Sequence, residues 1–350
     1  MTVLIPDIRI EGVSVPFFKG AYTSTGGLTA STLQFTLPLS YAGFKNLWNK
    51  EVTFYLNEFE STPIFRGYIK RVKQDFNKIE VIAQDVFGYM VMGGNESMAK
   101  IALTEYDNLD GLTTGPAIKK AIEMAKLNTK IGTDFIGDTT PSVSSSRPPI
   151  RGTLSVLDII KQLMGRAVDN SGTLPRPNMI KIVDDGSISQ LIIELESELN
   201  GNTVAHNYTE HSNIIDVKLI NRKVPTVIIV NGLNGVASTF SHESAIEGYD
   251  RNYLEVTNDN LKSPAECKDF AQKLFRANLQ NQYEYTISSY EGAHLSENNI
   301  IRVDTDDPKF TGYYRVRGKK IAFSTNSFTI GININKKPPT LAEYVKMSDN

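Results

Sequence analysis

Short stretches that alternate apolar and polar residues dominate the first 95 residues, and this alternation restricts the fold more than any other feature of the chain. A period of two residues is typical of β-strands with one buried face. The pattern predicts five strands, at 8–15, 32–37, 51–56, 64–72 and 78–83. A turn at 75–77 separates the last two, and one helical turn is expected at 41–49. Strands this short and closely spaced favour a small β-barrel.

Gly67 lies inside the fourth predicted strand. Glycine at such a position indicates a bulge, a bend or a close approach of neighbouring backbone. We expect it to allow a bend in the first barrel.

Residues 96–205 have a different pattern, which predicts a small α+β insert. Two helices are expected, one opening at Gly115 and one capped by Ser155 and Asp158, because apolar residues recur along each at helical spacing. Residues 137–152 show no periodicity and predict a long loop. The turn sequence at 184–186 predicts a hairpin between two alternating stretches.

Residues 206–335 return to β-strand patterns. One helix interrupts them, with Ser263 as N-cap, Pro264 in the first turn and Glu266 completing a capping box. We expect this helix to pack beside the second barrel. The predicted strands are at 214–220, 226–230, 236–240, 283–290, 299–303, 312–316, 320–323 and 327–334.

The predicted architecture is therefore mainly β, with two similar small β-barrels flanking an α+β domain. Its boundaries are 1–95 for the first barrel, 96–205 for the insert and 206–335 for the second barrel with its capped helix. Residues 336–350 form a C-terminal tail. A length of 350 residues fits two or three domains.

Charge and composition exclude several classes of function. Lys and Arg number 37 against 39 Asp and Glu, so no basic field is available to hold a phosphate backbone. One cysteine, Cys267, excludes an intramolecular disulfide framework and a cysteine-based zinc site. The longest aliphatic runs are far too short to span a membrane, and we expect no signal peptide.

Two groups of residues were considered as metal ligands. His206 and His211, with Glu210, lie in a polar stretch predicted to be a loop, but their spacing matches no metal-binding frame. The acidic run 304–307 contains parts of a calcium loop without its glycine and distal glutamate, so an acidic turn is the favoured interpretation. We therefore predict no metal site and no cofactor.

Catalytic constellations are also missing from the sequence. Glu194, Glu196 and Glu198 alternate along a strand end, which indicates a solvated face rather than paired catalytic carboxylates. Cys267 lies on the apolar face of its helix and is expected to be an inert thiol. Neither a nucleophile elbow nor a phosphate-binding loop is present. The chain is predicted not to be an enzyme and to have no catalytic residues.

Certain strands resemble a known family. Phe65, Gly67 and Ile69, followed by Ile79, Val81, Ala83 and Asp85, resemble a strand pair in the first barrel of phage tail hub proteins. The capped helix from Ser263 and the strands after it resemble the second barrel. This family, the late control protein D-like proteins, includes contractile-phage baseplate hubs and the base of the type VI secretion protein VgrG. In place of the usual turn with Pro-Gly, this chain has the residues 296–299.

The resemblance implies a homotrimer. Three subunits with two barrels each would form a pseudo-sixfold ring, which adapts a sixfold tail tube to a threefold spike or tip. It also implies that the spike or tip is a separate polypeptide, that a tape-measure protein is a further partner, and that DNA passes through the ring. The protein would be made in the host cytoplasm and reside in the virion tail or baseplate. The loop 137–152 and the tail 336–350 are candidate contacts for a neighbouring tail protein. A ring contact could instead use exposed strand edges anywhere in either barrel, and the sequence does not choose between them.

Two other functions remain open at this point. One is a receptor- or glycan-binding module at the tail tip, which binding to host cells would reveal. The other is a tail-associated cell-wall hydrolase, whose activity would depend on His206, His211 or Glu210.

Overall fold

The computed structural model describes most of the chain. The described residues are 5–25, 29–41, 46–57, 61–92, 100–103, 109, 112–136, 152–166, 168–169, 176–195, 203–221, 224–241, 251–258, 261–280, 283–308, 310–325 and 327–336.

Seven strands and one short helix make up the first part of the chain. They are β1 (Asp7–Ile10), β2 (Val13–Ser14), β3 (Lys19–Thr25), β4 (Thr32–Pro38), β5 (Glu51–Tyr55), β6 (Phe65–Gln74), β7 (Lys78–Gln84) and α1 (Val86–Met92). Four of the five predicted strands and the turn at 75–77 are confirmed. The helical turn expected at 41–49 falls partly on 42–45, outside the described residues.

The first predicted strand, 8–15, is wrong as a single strand. Glu11 and Gly12 have φ angles of 51° and 78°, and this left-handed backbone turns the chain into the β1–β2 hairpin. The pattern also does not predict β3 or α1. Gly, Ala, Ser and Thr supply most of β3 and carry little hydrophobic signal.

The middle of the chain contains two helices and six strands. They are β8 (Lys100–Leu103), α2 (Thr114–Met124), β9 (Ile131–Gly132), β10 (Gly152–Ser155), α3 (Val156–Arg166), β11 (Val168–Asp169), β12 (Arg176–Asp184) and β13 (Ser189–Leu195). The two helices and the β12–β13 hairpin are confirmed. The Ser155 hydroxyl donates to an Asp158 carboxylate oxygen at 2.6 Å and accepts the Asp158 N–H at 3.1 Å. Of the predicted loop 137–152, only Gly152 is described, as the first residue of β10.

Nine strands and a long helix follow. They are β14 (Val204–Thr209), β15 (Asp216–Asn221), β16 (Val227–Asn231), β17 (Ala237–Ser241), β18 (Tyr253–Thr257), α4 (Pro264–Gln280), β19 (Tyr283–Ser289), β20 (Ile300–Asp304), β21 (Gly312–Ser324) and β22 (Phe328–Lys336). The strands predicted at 312–316 and 320–323 are one strand, β21, with a register shift between Val316 and Gly318. The stretch around His206, predicted as a loop, is strand β14. The tail is outside the described residues, except Lys336 at the end of β22.

One 13-stranded sheet joins the two ends of the chain. Its main path runs β15-β19-β22-β21-β3-β4-β7-β6-β5-β1-β2, and β14 and β20 extend it from β21. The junction is the antiparallel pair of β3 and β21, in which Ala21 faces Ala322. Buried residues from both ends form one hydrophobic core, in which the rings of Phe54 and Phe323 stack with centroids 4.5 Å apart. The protein is mainly β, as predicted.

The capped helix does not pack on this sheet. It packs on a separate three-stranded sheet, β17-β16-β18, and buries a small core that contains Ile228, Cys267 and Phe275. The strands predicted at 226–230 and 236–240 therefore exist but pair only with each other and with β18 among the described residues. A third core belongs to α1, α2, α3 and the β12–β13 hairpin. The boundaries at 95, 205 and 335 stay predictions.

Candidate functional site

A groove of about 1490 Å³ lies where the first part of the chain, the β12–β13 hairpin and the last strands meet. Its apolar lining comes from all three regions. We call it the junction groove and define it by Ile5, Leu56, Val183, Ile215, Tyr290 and Phe328. Four of these side chains are exposed although they are large and apolar: Ile5, Val183, Ile215 and Tyr290. Such a concentration of exposed apolar surface is typical of a site that binds another molecule.

Arg66 on β6 holds one wall of the groove in place. Its guanidinium lies 2.5 Å from an Asp184 oxygen and 2.7 Å from a Glu51 oxygen, and it donates to the Gly186 carbonyl at 2.9 Å. The side chain is only 10 % exposed, so these charges interact in a region of low dielectric. The predicted hairpin turn at 184–186 is confirmed, with φ of 95° at Gly186. The Asp184 carboxylate of this turn also pairs with Arg66 and so connects the hairpin to the first part of the chain. The turn sequence alone does not predict this contact.

The same hairpin is tied to the last part of the chain at its other end. Asn298 donates from its side-chain amide to a Glu194 oxygen at 2.7 Å, and the Lys181 ammonium lies 2.8 Å from the same oxygen. Glu194 was expected on a solvated face, and the structure corrects this because its carboxylate joins two regions of the chain. Glu196 and Glu198 are outside the described residues.

Lys319 on β21 supports the segment 290–299 that lines the groove. Its ammonium donates to the Ala293 carbonyl at 2.5 Å and to the Leu295 carbonyl at 2.6 Å. Burial lowers the pKa of this lysine to about 8, against a smaller opposing effect of Glu297. Glu297 is itself hydrogen-bonded to the Ser24 hydroxyl. A buried lysine thus anchors the loop by capping two carbonyls that no regular ladder satisfies.

Tyr208 fixes the other end of this segment. Its hydroxyl donates to the Glu291 carbonyl at 3.0 Å, and burial raises its pKa. The next residue, Gly292, has a φ of 94°, and a Cβ there would collide with the Tyr208 hydroxyl. The tight turn therefore requires glycine.

The structure assigns His206 and His211 to different surroundings. His206 lines the groove, with Nε2 3.3 Å from a Glu291 oxygen and its ring 5.5 Å from that of His294. Burial, with a further contribution from His294, lowers its pKa. His211 is instead exposed in a turn, where a hydrogen bond and the charge of Asp306 raise its pKa. The two histidines therefore have different partners.

One cluster has the donor set for a metal ion. Ligand atoms of Glu210, His211 and Asp306 lie within 4.8 Å of one another. The chain brings them together because β14 and β20 run in parallel and end side by side. These side chains already bond within the cluster, and Asp304 is paired instead with Arg302 at 2.9 Å. The absence of a functional metal site stays a prediction.

Cys267 is buried, and burial is the larger cause of its raised pKa. The thiol form is therefore favoured, in agreement with an inert side chain. Among the described residues, no helix is both long enough and apolar enough to cross a membrane.

No protein-family model and no curated protein matches this chain. Solved structures do match. The tail protein from Neisseria meningitidis MC58 aligns with a TM-score of 0.68 at 10 % identity, over 96 % of this chain and 97 % of that chain. The 43 kDa tail protein of prophage MuSo2 from Shewanella oneidensis aligns with a TM-score of 0.62 at 12 % identity, over 95 % and 98 %. The c3393 protein, a component of the Escherichia coli type VI secretion system, aligns with a TM-score of 0.53 at 12 % identity, over 95 % and 77 %.

The likeness covers nearly the whole length of this chain and of both tail proteins. It includes both ends of the chain, which the 13-stranded sheet joins. This chain therefore has the fold of a phage tail or baseplate-like protein.

Proposed function

We propose that this protein is a structural hub of a phage tail, a baseplate or a related injection device. The observation that carries the proposal is the full-length likeness to two tail proteins, each matched over at least 97 % of its own chain. A fold alone does not determine function. The site agrees with the proposal, because the junction groove is an apolar surface suited to a protein partner.

In the proposed assembly, three copies close into a pseudo-sixfold ring. One face of the ring binds the tail tube, and the other binds a spike or tip, so that the ring matches a sixfold to a threefold symmetry. DNA passes through the centre, and the formal net charge of −2 suits a lumen that does not retain it. A tape-measure protein is a further proposed partner. The proposed role involves no catalysis and no cofactor.

The test is the mass of the purified protein by light scattering over a series of concentrations, followed by negative-stain images. We expect a species of three times 38.9 kDa with a central hole. Because oligomer formation depends on protein concentration, a monomer would next be mixed with the tail-tube protein. A chain that stays monomeric with the tube protein present would contradict the proposal and favour the receptor-binding alternative.

A further inference from the structure

An exposed apolar patch lies at the outer end of the first part of the chain. Phe76, at the tip of the β6–β7 turn, is 94 % exposed. Leu39 directly follows β4, which pairs with β7 as far as Lys78, and Phe18 donates its backbone N–H to Thr36 of β4 at 2.9 Å. Strand pairing therefore places Phe18, Leu39 and Phe76 near one end of the paired strands β4, β7 and β6, and all three are exposed. We call these three residues the tip patch.

The tip patch and the junction groove carry opposite charges. Around the tip patch, the outer part of the β6–β7 hairpin has three basic side chains, Lys70, Arg71 and Lys73, against Asp75, while Lys78 is paired with Glu80 at 2.6 Å. In the groove, the charge of Asp184 is balanced by Arg66, which leaves the carboxylates of Glu291 and Glu297 against one ammonium, that of Lys319. Glu291 is open to solvent, with its side chain 55 % exposed. The apolar tip patch, with basic side chains around it, thus complements the apolar junction groove, which contains acidic side chains.

A single chain cannot bring the two surfaces together. Ser61–Ile64 line the groove and immediately precede β6. Phe76 of the tip patch instead follows the far end of β6. The ten residues of β6 span about 33 Å. Because both strands of this hairpin are paired in the 13-stranded sheet, the tip cannot fold back on the groove.

We propose that Phe76 of one copy inserts into the junction groove of a second copy of this chain. The contact is heterologous, since two different surfaces of identical subunits meet, and such contacts close into rings when the rotation allows. The inference rests on the proposed ring and names the surfaces that form it.

Cross-linking tests which surfaces meet. Cys267 is the only cysteine, so a Cys267→Ala background has no thiol. In this background, Phe76→Cys chains are mixed with Ile215→Cys chains and treated with a short bis-maleimide. We expect cross-linked dimers in the mixture and none from either variant alone. A Thr257→Cys chain, whose exposed thiol lies on the separate three-stranded sheet, replaces the groove variant as the control and should give no product.

Self-association tests whether the contact is energetically important. Phe76→Ser should weaken each contact between subunits roughly 30-fold, which corresponds to about 2 kcal/mol for a central aromatic anchor, and a closed trimer contains three such contacts. Phe135→Ser is the matched control, because Phe135 is also an exposed phenylalanine, at 59 %, but lies outside both surfaces. It should leave the association unchanged.

The results separate this inference from the proposed function. A wild-type trimer that Phe76→Ser does not weaken, with no product between positions 76 and 215, overturns the inference and leaves the hub intact. Cross-linking of position 76 only to an added tail-tube protein also overturns it and assigns the tip patch to the tube. Failure to form any ring with the tube protein present contradicts the proposed function itself.

Discussion

At the scale of single residues, Lys319 is a buried charged side chain with a structural role. Its side chain is buried, yet it serves the two carbonyls of Ala293 and Leu295 and thereby supports the segment that lines the junction groove. An unpaired buried carbonyl costs about 1–3 kcal/mol, so the lysine stabilises this loop despite the cost of burying its charge.

Lys319→Met keeps the length of the side chain and removes both hydrogen bonds. We expect a loss of about 3 kcal/mol in the free energy of unfolding, measured by chemical denaturation. The difference from wild type should also grow as pH rises from about 8 to about 10. In that range the unfolded lysine holds a proton that the folded one, with its pKa near 8, has lost, so higher pH favours the folded wild type. Lys320→Met, at an exposed neighbour, should show neither effect.

The sequence correctly indicates that Gly67 has a structural role, but the bend expected there does not explain that role. A bend was expected there, but the register shift of β6 lies between Ile69 and Arg71. A Cβ on Gly67 would instead collide with the Gln84 carbonyl and the Phe65 ring. A glycine inside a strand can indicate a bulge, a bend or a close approach of neighbouring backbone, and the structure shows the close approach. The sequence cannot distinguish them, because the approach depends on how β7 is paired.

Gly67→Ala should destabilise the protein by about 2 kcal/mol, because backbone and a packed ring must move. Gly331→Ala is the control within a strand of the same sheet, where a new Cβ meets its nearest neighbour at an ordinary 3.7 Å. Its effect should lie within about 0.5 kcal/mol of zero. Equal losses in thermal or chemical unfolding for the two variants would contradict the steric explanation.

At the scale of elements, strong local signals were predicted well and weak ones were not. The N-caps of α3 and α4 form as expected, and at α4 the full capping box forms: Ser263 accepts the Glu266 N–H at 3.3 Å, and Glu266 accepts the Ser263 N–H at 3.2 Å. Strand β18 was not predicted. The sequence also does not indicate that β16 and β17, the strands on which α4 packs, form a sheet apart from the other strands of the predicted second barrel, because neither hydrophobic period nor capping shows which sheet a strand joins.

Ser263→Ala should cost about 1 kcal/mol by leaving the Glu266 N–H in the first turn of α4 without its side-chain partner. Because α4 and its sheet share a separate core, we expect faster hydrogen exchange in α4, β16, β17 and β18 alone. Ser263→Thr retains the hydroxyl and should behave as wild type. Accelerated exchange that extends into β21 or β22 would show that the two sheets open together.

At the scale of the whole molecule, the two ends of the chain form one sheet and one core. Two similar barrels were predicted from their element content, but nothing in either pattern indicates that β3 pairs with β21. The junction groove was missed for the same reason. Leu56, Val183 and Ile215 are far apart in the sequence, and only the tertiary pairing brings them to one surface. His206 is the one member of the predicted histidine pair that lines this groove.

A proline at Ala322 should disturb both ends of the chain. Ala322 pairs with Ala21 on one side and Thr329 on the other, so Ala322→Pro removes a ladder position at the junction. We expect a loss of about 3 kcal/mol or more, and faster hydrogen exchange in β3 and β4 as well as in β22. Thr239→Pro, in the separate sheet, should affect β16 and β17 without reaching β3.

The β3–β21 pair also imposes a delay during protein synthesis, because β3 is made long before its partner strand. Ala21 leaves the ribosome about 300 residues before its partner Ala322 exists. At roughly 5–20 residues per second, this delay is about 15–60 s. Throughout that time the edge of β3 that later pairs with β21 is unpaired. Tyr22 also lacks the part of its hydrophobic core that the last strands supply. We therefore expect a chain truncated before β21 to aggregate more readily than the full chain, because this edge of β3 stays unpaired.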